Sequence, residues 1–206
     1  MLSLTPRTVR RTLLPASYLV FIAGTLASGA IFYHGRSFDV KAAILSDLQS
    51  PDENPHGYKA LAAGIALSAT LLVPSVIVFY RQLCGKHPRL ATAGAVMFAV
   101  GTGSAIAVGV LAPFTHGYSP LHVQLASAAF IGIAAGTVLY LLAARASRTL
   151  LFFQLGVLLL LAFLCYGPID FDNSHLLTGL AFWEWVLLAD CGVALWALAR
   201  VIESNG

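Results

Sequence analysis

The sequence predicts an all-α polytopic membrane protein: one transmembrane domain over residues 1–206, folded as a six-helix bundle with both termini in the cytoplasm. Three observations support this fold class. First, 58% of the residues are hydrophobic and only 10% are charged, whereas soluble domains carry about 25% charged residues. Second, the apolar residues form six long runs. Third, Lys and Arg are concentrated in alternate loops. The same composition excludes a disordered chain.

Each apolar run is close to the roughly 20 residues that a helix needs to cross a bilayer. Backbone polar groups in lipid must be satisfied within the segment, so the runs are predicted to be helices. The first run is too long for the apolar part of a cleaved signal peptide, and we expect it to remain as a span. The leucine-rich fifth run is expected to face lipid. The predicted spans are residues 13–33, 60–80, 90–114, 121–144, 150–167 and 176–198.

The distribution of Lys and Arg predicts the orientation of the bundle. With the N-terminus inside, nine of these residues lie on the cytoplasmic side and three lie outside. Positive residues accumulate in cytoplasmic loops, so the sequence favours cytoplasmic N- and C-termini in the cell (plasma or inner) membrane. The inner residues are Arg7, Arg10, Arg11, Arg81, Lys86, Arg89, Arg145, Arg148 and Arg200; the outer residues are Arg36, Lys41 and Lys59.

Small residues recur within the predicted spans at spacings that allow helices to approach closely. This pattern predicts a single, tightly packed bundle. The Gly101-Thr-Gly103 sequence is not a dinucleotide-binding motif, because no strand precedes it. The small residues at these spacings are Gly24 with Ser28, Gly132 with Gly136, and the group Gly101, Gly103 and Ser104.

Most histidines and acidic residues fall on the predicted outer side, so a functional site is expected to open there. In the long first outer loop, residues 40–48 are predicted to form a short interfacial helix. Ser50 is expected to cap a helical turn that begins with Pro51, and residues 54–57 to form a turn before the second span. On composition alone, this segment also fits a capped, solvated loop with no further role.

Three histidines raise the question of a metal. His56, His122 and His175 lie at the outer ends of three predicted helices that could be neighbours, and imidazoles with nearby carboxylates are suitable zinc ligands. No pair has the spacing of ligands on one helix face. The alternative is that no cofactor is present and that these are interfacial histidines in ordinary hydrogen bonds.

Two acids lie within the sixth predicted span. Glu184 is nine residues past His175, about 13 Å along a helix, and a carboxylate at that depth is costly and is a functional candidate by default. The alternative is a buried polar link between helices, and for Asp190 we favour that interpretation. Candidate partners for such a link are Ser, Tyr or Gln124 side chains.

The chain resembles the six-span membrane proteins of the family "domain of unknown function 998", whose first outer loop carries an Ile-Ser-Asp-Leu-Gly-type signature. Here the segment reads Ile44-Leu45-Ser46-Asp47-Leu48-Gln49, so Gln49 stands where Gly is usual. The segments 54–57 and 112–114 and His122 are also similar to that family. It is related to the Frag/DRAM/Sfk superfamily, so the resemblance implies a role with lipid at the outer leaflet. The resemblance implies no particular reaction, and it marks only four residues as candidate functional positions: Ser46, Asp47, His56 and His122.

Three functions fit these features. The first is binding or modification of a membrane lipid at the outer leaflet, by a hydrolase or remodelling enzyme that could use zinc. Its catalytic candidates are Asp47, His56, His122 and Glu184, and its binding candidates are Ser46, Asp170, Asp172 and His175. The second is a small proton-coupled transporter that uses Glu184. The third is a scaffold subunit without catalysis. Nucleic acid is not an expected partner, and haem is disfavoured because every histidine lies near a helix end.

Overall fold

The computed structural model describes residues 4–34, 45–115, 119–166 and 180–205, and every regular element in these ranges is a helix. The all-α prediction is therefore confirmed for the described chain. The helices, in order, are α1 (Pro6–Phe32, with a π-helical segment at Val9–Leu13), α2 (Leu45–Gln49), α3 (Tyr58–Leu83), α4 (Pro88–Leu111, followed by a 3₁₀ turn at Ala112–Phe114), α5 (Pro120–Ala143), α6 (Arg148–Tyr166) and α7 (Leu180–Asn205).

Five of these helices are long and apolar enough to cross a membrane, namely α1, α3, α4, α5 and α7. In α6 the described apolar stretch, Arg148–Val157, is shorter than a crossing requires. Large apolar side chains on its surface are exposed, including Phe152, Phe153 and Leu159. This exposure agrees with the expectation that the fifth run faces lipid. The protein is thus a membrane helix bundle.

The terminal helices extend beyond their predicted spans, because charged residues continue a helix past the apolar segment. The first helix begins at Pro6 rather than at residue 13, and the last continues to Asn205 rather than ending at 198. Thr5 caps the first helix, since its side-chain oxygen accepts a hydrogen bond from the Thr8 N–H at 3.1 Å. Pro6 occupies the first helical position, where its missing N–H costs nothing.

The predicted helix over 40–48 is found at Leu45–Gln49; residues 40–44 lie outside the described ranges. Ser50 accepts a weak hydrogen bond from the Glu53 N–H at 3.4 Å, as a cap would. A single turn follows over residues 51–53, in which the Asn54 N–H donates to the Ser50 carbonyl at 2.9 Å, so the predicted capped helical turn is present. It does not continue as a helix, because the residue before Pro55 avoids helical backbone angles. The predicted turn at 54–57 is confirmed.

Close backbone contacts join α1, α3, α4 and α5 in that order. A Cβ atom on Gly24 of α1 would lie 2.9 Å from the Cα of Gly64 in α3. A Cβ on Gly101 of α4 would lie 2.5 Å from a backbone nitrogen of α5, and one on Gly132 would lie 2.6 Å from the backbone nitrogen of Gly101. The predicted packing role is confirmed for Gly24, Gly101 and Gly132, and Gly64 is a further contact that was not predicted. Gly103 is different, since a Cβ there would meet no atom within 4 Å.

The α7 helix closes the bundle against α1, α3 and α5, and α6 packs outside on α5 and α7. The two ends of the bundle differ. At one end, Arg10 of α1 and Glu203 of α7 form an ion pair at 2.7 Å, and the guanidinium groups of Arg10 and Arg200 lie 5.9 and 5.7 Å from the Trp196 ring centre. We call this the termini end. The opposite end carries α2 and is called the α2 end.

Aromatic rings fill the interior nearer the termini end. Phe79 of α3 contacts Phe98 of α4 and Tyr140 of α5 edge-on, with ring centres 6.5 and 5.6 Å apart. The Tyr140 hydroxyl donates a hydrogen bond to the Val76 carbonyl at 3.2 Å. All three rings are fully buried. This part of the bundle is therefore a packed core, and open space is found closer to the α2 end.

Candidate functional site

A cavity of about 150 Å³ lies between α1, α3, α4, α5 and α7, with α2 contributing to its wall. Most of its lining is apolar, from alanines such as Ala69 and Ala129 and from larger residues such as Phe21 and Ile65. Protein interiors rarely leave voids much larger than a water molecule. A space of this size in the centre of the bundle is therefore the leading candidate for a binding site.

Polar groups meet at the α2 end of this cavity. His122 lies in the first turn of α5, where the Ser119 hydroxyl accepts a hydrogen bond from its N–H at 3.3 Å, and it is 5% exposed. Glu184, near the start of the described side chains of α7, also lines the cavity. Its carboxylate accepts a hydrogen bond from the Leu45 N–H at 2.8 Å. An imidazole, a carboxylate and the Gln49 amide thus line the same cavity from three different helices.

Buried hydrogen bonds hold α2 in place. The Gln49 side chain donates to the Val108 carbonyl of α4 at 2.8 Å. The Leu48 carbonyl accepts from the Ser28 hydroxyl at 2.8 Å and from the Asn54 side-chain amide at 3.0 Å. Because unpaired polar groups are costly away from water, these bonds fix α2 against α1 and α4.

Asn54 organises the connection between α2 and α3. It is 2% exposed, its amide also donates to the Ser28 hydroxyl at 2.8 Å, and its side-chain oxygen accepts from the Gly57 N–H at 3.0 Å. A Cβ on Gly57 would lie 2.6 Å from that oxygen, so only glycine fits beside it. Leu45 and Leu48 then pack with Leu61 of α3.

Hydroxyl groups also line the cavity at mid-bundle, but each has a hydrogen-bond partner. Ser17 of α1 and Ser68 of α3 bond to each other through their hydroxyls at 2.8 Å. Tyr18 donates to the Leu188 carbonyl of α7 at 3.0 Å. Its ring occupies the space where Gly192 lacks a side chain, since a Cβ there would fall 2.3 Å from the ring. These groups link helices and leave the middle of the cavity largely apolar.

The structure brings some of the predicted site residues together and separates others. His122 and Glu184 share the cavity. Asp47 is half-buried on α2, between the two α2 residues that line the cavity, and it has an interaction partner. His56 is exposed in the turn before α3 and is not among the lining residues. The remaining predicted positions lie outside the described part of the molecule: the Ser46 side chain, Asp170, Asp172 and His175.

No group of three His, Cys, Asp or Glu side chains that could hold a metal ion occurs within the described ranges. Of the three predicted zinc ligands, His122 is buried in the cavity and His56 is exposed outside it. The third, His175, falls in the undescribed segment 167–179. The zinc hypothesis therefore depends on a residue whose position the structure does not describe.

Asp190 has the structural contact that the sequence favoured, but with a different partner. The buried Gln154 of α6 donates a hydrogen bond to the Asp190 carboxylate at 3.1 Å. Gln124, one of the suggested partners, is exposed at the start of α5. Asp190 does not line the cavity. It links α6 to α7 and is not part of the candidate site.

Sequence reasoning missed several residues of the site. Ser17, Tyr18, Ser68 and Gln49 all line the cavity, yet only Gln49 drew attention, as a departure from a family signature. A usable signal was present, because polar side chains within a predicted span must find partners inside the bundle. A single sequence does not show that these four residues lie close to one another in the folded protein.

Comparison with known proteins adds no relationship: no family model matches the chain, and no curated protein or solved structure is significantly similar to it. The resemblance to the 998 family therefore stays a prediction. The assignment of function depends on the geometry of the cavity.

Proposed function

We propose that this membrane protein binds the hydrocarbon chain of a lipid within its helix bundle and holds the polar end of that lipid near α2. One observation carries the proposal: a single cavity is apolar along most of its length and places His122, Glu184 and Gln49 together at one end. An amphiphile has the same division between an apolar body and a polar end.

Location within a membrane favours this ligand. An apolar cavity gains nothing from water, because a water molecule needs two to four polar partners. Alkyl chains surround the bundle on every side, and filling the cavity with one restores the packing contacts that a void lacks. We therefore expect the site to take its ligand from the bilayer.

The polar end of the site has the groups that a reaction would need. An imidazole is the commonest general base or acid in enzymes, and a carboxylate in the same cavity would orient a water molecule or a lipid hydroxyl. We propose His122 as the group closest to chemistry and Glu184 as the residue that also fixes α2. Lipid hydrolysis or remodelling is thus the reaction class to test first.

We also propose six spans with both termini in the cytoplasm. The ion pair between Arg10 and Glu203 joins the start of α1 to the end of α7. Two termini on one side of a bilayer require an even number of crossings, which supports α6 as the sixth span. The excess of Lys and Arg in the loops on that side supports a cytoplasmic location. The α2 end and its polar groups would then face the outer leaflet.

The proposal is tested by identifying lipid that remains bound after purification. Native mass spectrometry of the detergent-solubilised protein should show a lipid adduct that is lost in Ala129→Phe, which fills the cavity. A matched control, Ala99→Phe, places the same ring on an exposed face of α4. Equal lipid occupancy in both variants, or no adduct in the wild type, would contradict the proposal.

Chemistry and metal are tested on the same samples. If the site is hydrolytic, His122→Ala should abolish turnover of outer-leaflet lipid while the variant still elutes as a folded protein. About one zinc per chain by elemental mass spectrometry, lost in both His122→Ala and His175→Ala, would establish a zinc site and support metal-assisted hydrolysis. Proteoliposome flux that disappears in Glu184→Gln would instead support the transporter.

A further inference from the structure

The cavity is long and narrow. Its lining residues run from Glu184 to Leu195 on α7 and from His122 to Ile133 on α5, which is about 16 Å on each helix at 1.5 Å per residue. A volume of about 150 Å³ distributed over that length makes a narrow channel. Two chains side by side would not fit without moving the helices.

The channel ends on packed side chains. Leu72 of α3 and Leu195 of α7 line the cavity and are 7% and 1% exposed. Both also belong to the same buried cluster as the Phe79, Phe98 and Tyr140 rings. A chain that enters from the α2 end therefore meets these two leucines with the aromatic core behind them.

Between its two ends, the cavity presents mainly apolar groups to an alkyl chain. The Ser17 and Ser68 hydroxyls bond to each other, and the Tyr18 hydroxyl bonds to the Leu188 carbonyl. A polar group placed at this depth would have to compete for these hydrogen bonds. Among the described residues that line the cavity, those that can stabilise the polar end of a ligand are therefore His122, Glu184 and Gln49.

We infer that the ligand is a single-chain amphiphile and that Leu72 and Leu195 form a floor that sets the length of the alkyl chain. This inference rests on the proposed function and narrows it to one substrate class. The channel takes one acyl chain at a time, so a two-chain lipid would leave its second chain outside the bundle.

A floor produces a defined dependence of affinity on chain length. Each methylene buried in an apolar site strengthens binding about fourfold. This gain should continue with each added carbon until the chain reaches Leu72 and Leu195, and should then stop or reverse. The floor is therefore measured as the chain length at which affinity ceases to rise.

The experiment titrates the full-length protein in detergent with monoacylglycerols of increasing chain length and measures occupancy by native mass spectrometry. Fatty acids and lysophosphatidylcholines of the same lengths form two further series. The break in the affinity curve should fall at the same chain length in all three series if the floor sets it. Differences in overall affinity between the series then report the preference for the polar end.

Substitutions move the floor in both directions. Leu195→Ala and Leu72→Ala each remove three side-chain carbons, so the break should shift to chains about three carbons longer. Ala69→Leu adds bulk to the cavity wall without deleting core atoms, and should shift the break to shorter chains. Leu198→Ala is the matched control, because Leu198 is equally buried in the same cluster but does not line the cavity.

The outcomes separate this inference from the function on which it rests. No binding of any series to the wild type would overturn the proposed function, and the floor with it. Binding with a break that stays at one length in Leu195→Ala, Leu72→Ala and Ala69→Leu would overturn the floor alone. A shift in Leu198→Ala equal to that in Leu195→Ala would show that loosening of the core, rather than the floor, sets the length.

Discussion

Two sides of the cavity are held together by different means. On one side, α1, α3, α4 and α5 meet through glycines, with Gly24 against Gly64 and Gly101 against Gly132. On the other side, α2 and α7 are attached through side-chain hydrogen bonds, such as that from the Leu45 N–H to Glu184 at 2.8 Å. The first side depends on the absence of side chains and the second on particular polar groups.

This difference bears on where a ligand can act. Backbone contacts between helices leave no room for rearrangement, so the glycine side forms a fixed wall. Hydrogen bonds at the α2 side can be exchanged for bonds to the polar end of a ligand at small net cost. Of the two candidate reactive groups, Glu184 lies on the side where such exchange is available, and His122 lies at the α2 end of the fixed wall.

The largest effect should come from breaking the fixed wall. Gly101→Ala would place a Cβ 2.5 Å from the backbone nitrogen of Ile133, which cannot move aside as a side chain would. We expect a loss of about 3 kcal/mol or more of stability, at the upper end of overpacking effects, measured as thermal unfolding in detergent. Gly103→Ala is the control on the same helix, with no atom within 4 Å of the new Cβ. Equal melting temperatures for the two variants would contradict tight packing at this interface.

The sequence could predict this wall more fully than the rest. The length and apolar character of the spans follow from bilayer thickness, and the small residues at Gly101, Gly132 and Gly136 mark helix contacts. It could not show which of Gly101 and Gly103 faces a neighbour. Residues two apart lie on opposite sides of a helix, and the rotation of α4 depends on the helices around it.

The candidate site was less predictable because it depends on contacts between distant segments. Glu184 was a candidate from its depth alone, yet its bond to Leu45 joins residues 139 apart in sequence. Asn54 was predicted to lie in a turn, but its burial against Ser28 could not be read from the loop composition. His56 was grouped with His122 on the basis of helix ends, and the structure leaves it exposed.

Among the polar contacts, loss of Asn54 should have the largest effect. Asn54→Ala removes the bonds to Ser28, Leu48 and Gly57 and leaves buried partners unpaired, at about 2–3 kcal/mol. Hydrogen–deuterium exchange should rise across Leu45–Gln49, and bound lipid should be lost. Glu53→Ala, whose side chain is exposed one residue earlier, serves as the control. Unchanged exchange in Asn54→Ala would show that α2 is held without it.

Substitution of Glu184 should have a smaller effect on stability and separates its two proposed roles. In Glu184→Gln the side-chain oxygen still accepts a bond from the Leu45 N–H, whereas Glu184→Ala removes it, at about 1.5 kcal/mol. If Glu184 only positions α2, the affinity for lipid should fall in Glu184→Ala and persist in Glu184→Gln. If its charge contacts the ligand, affinity should fall in both. Normal affinity in both variants would exclude Glu184 from the site.

The smallest effect is expected where α6 joins the bundle, outside the cavity. Gln154 donates to Asp190 at 3.1 Å, and hydrogen bonds between membrane helices contribute only about 0.6 kcal/mol on average and at most about 1.7. A double-mutant cycle with Gln154→Leu and Asp190→Leu should give a coupling energy in that range and leave lipid binding unchanged. Because Asp190 does not line the cavity, a loss of binding in either single variant would mean that α6 acts on the site through α7. The hydrogen-bonded side of the cavity, formed by α2 and α7, would then have to include the α6–α7 contact as well.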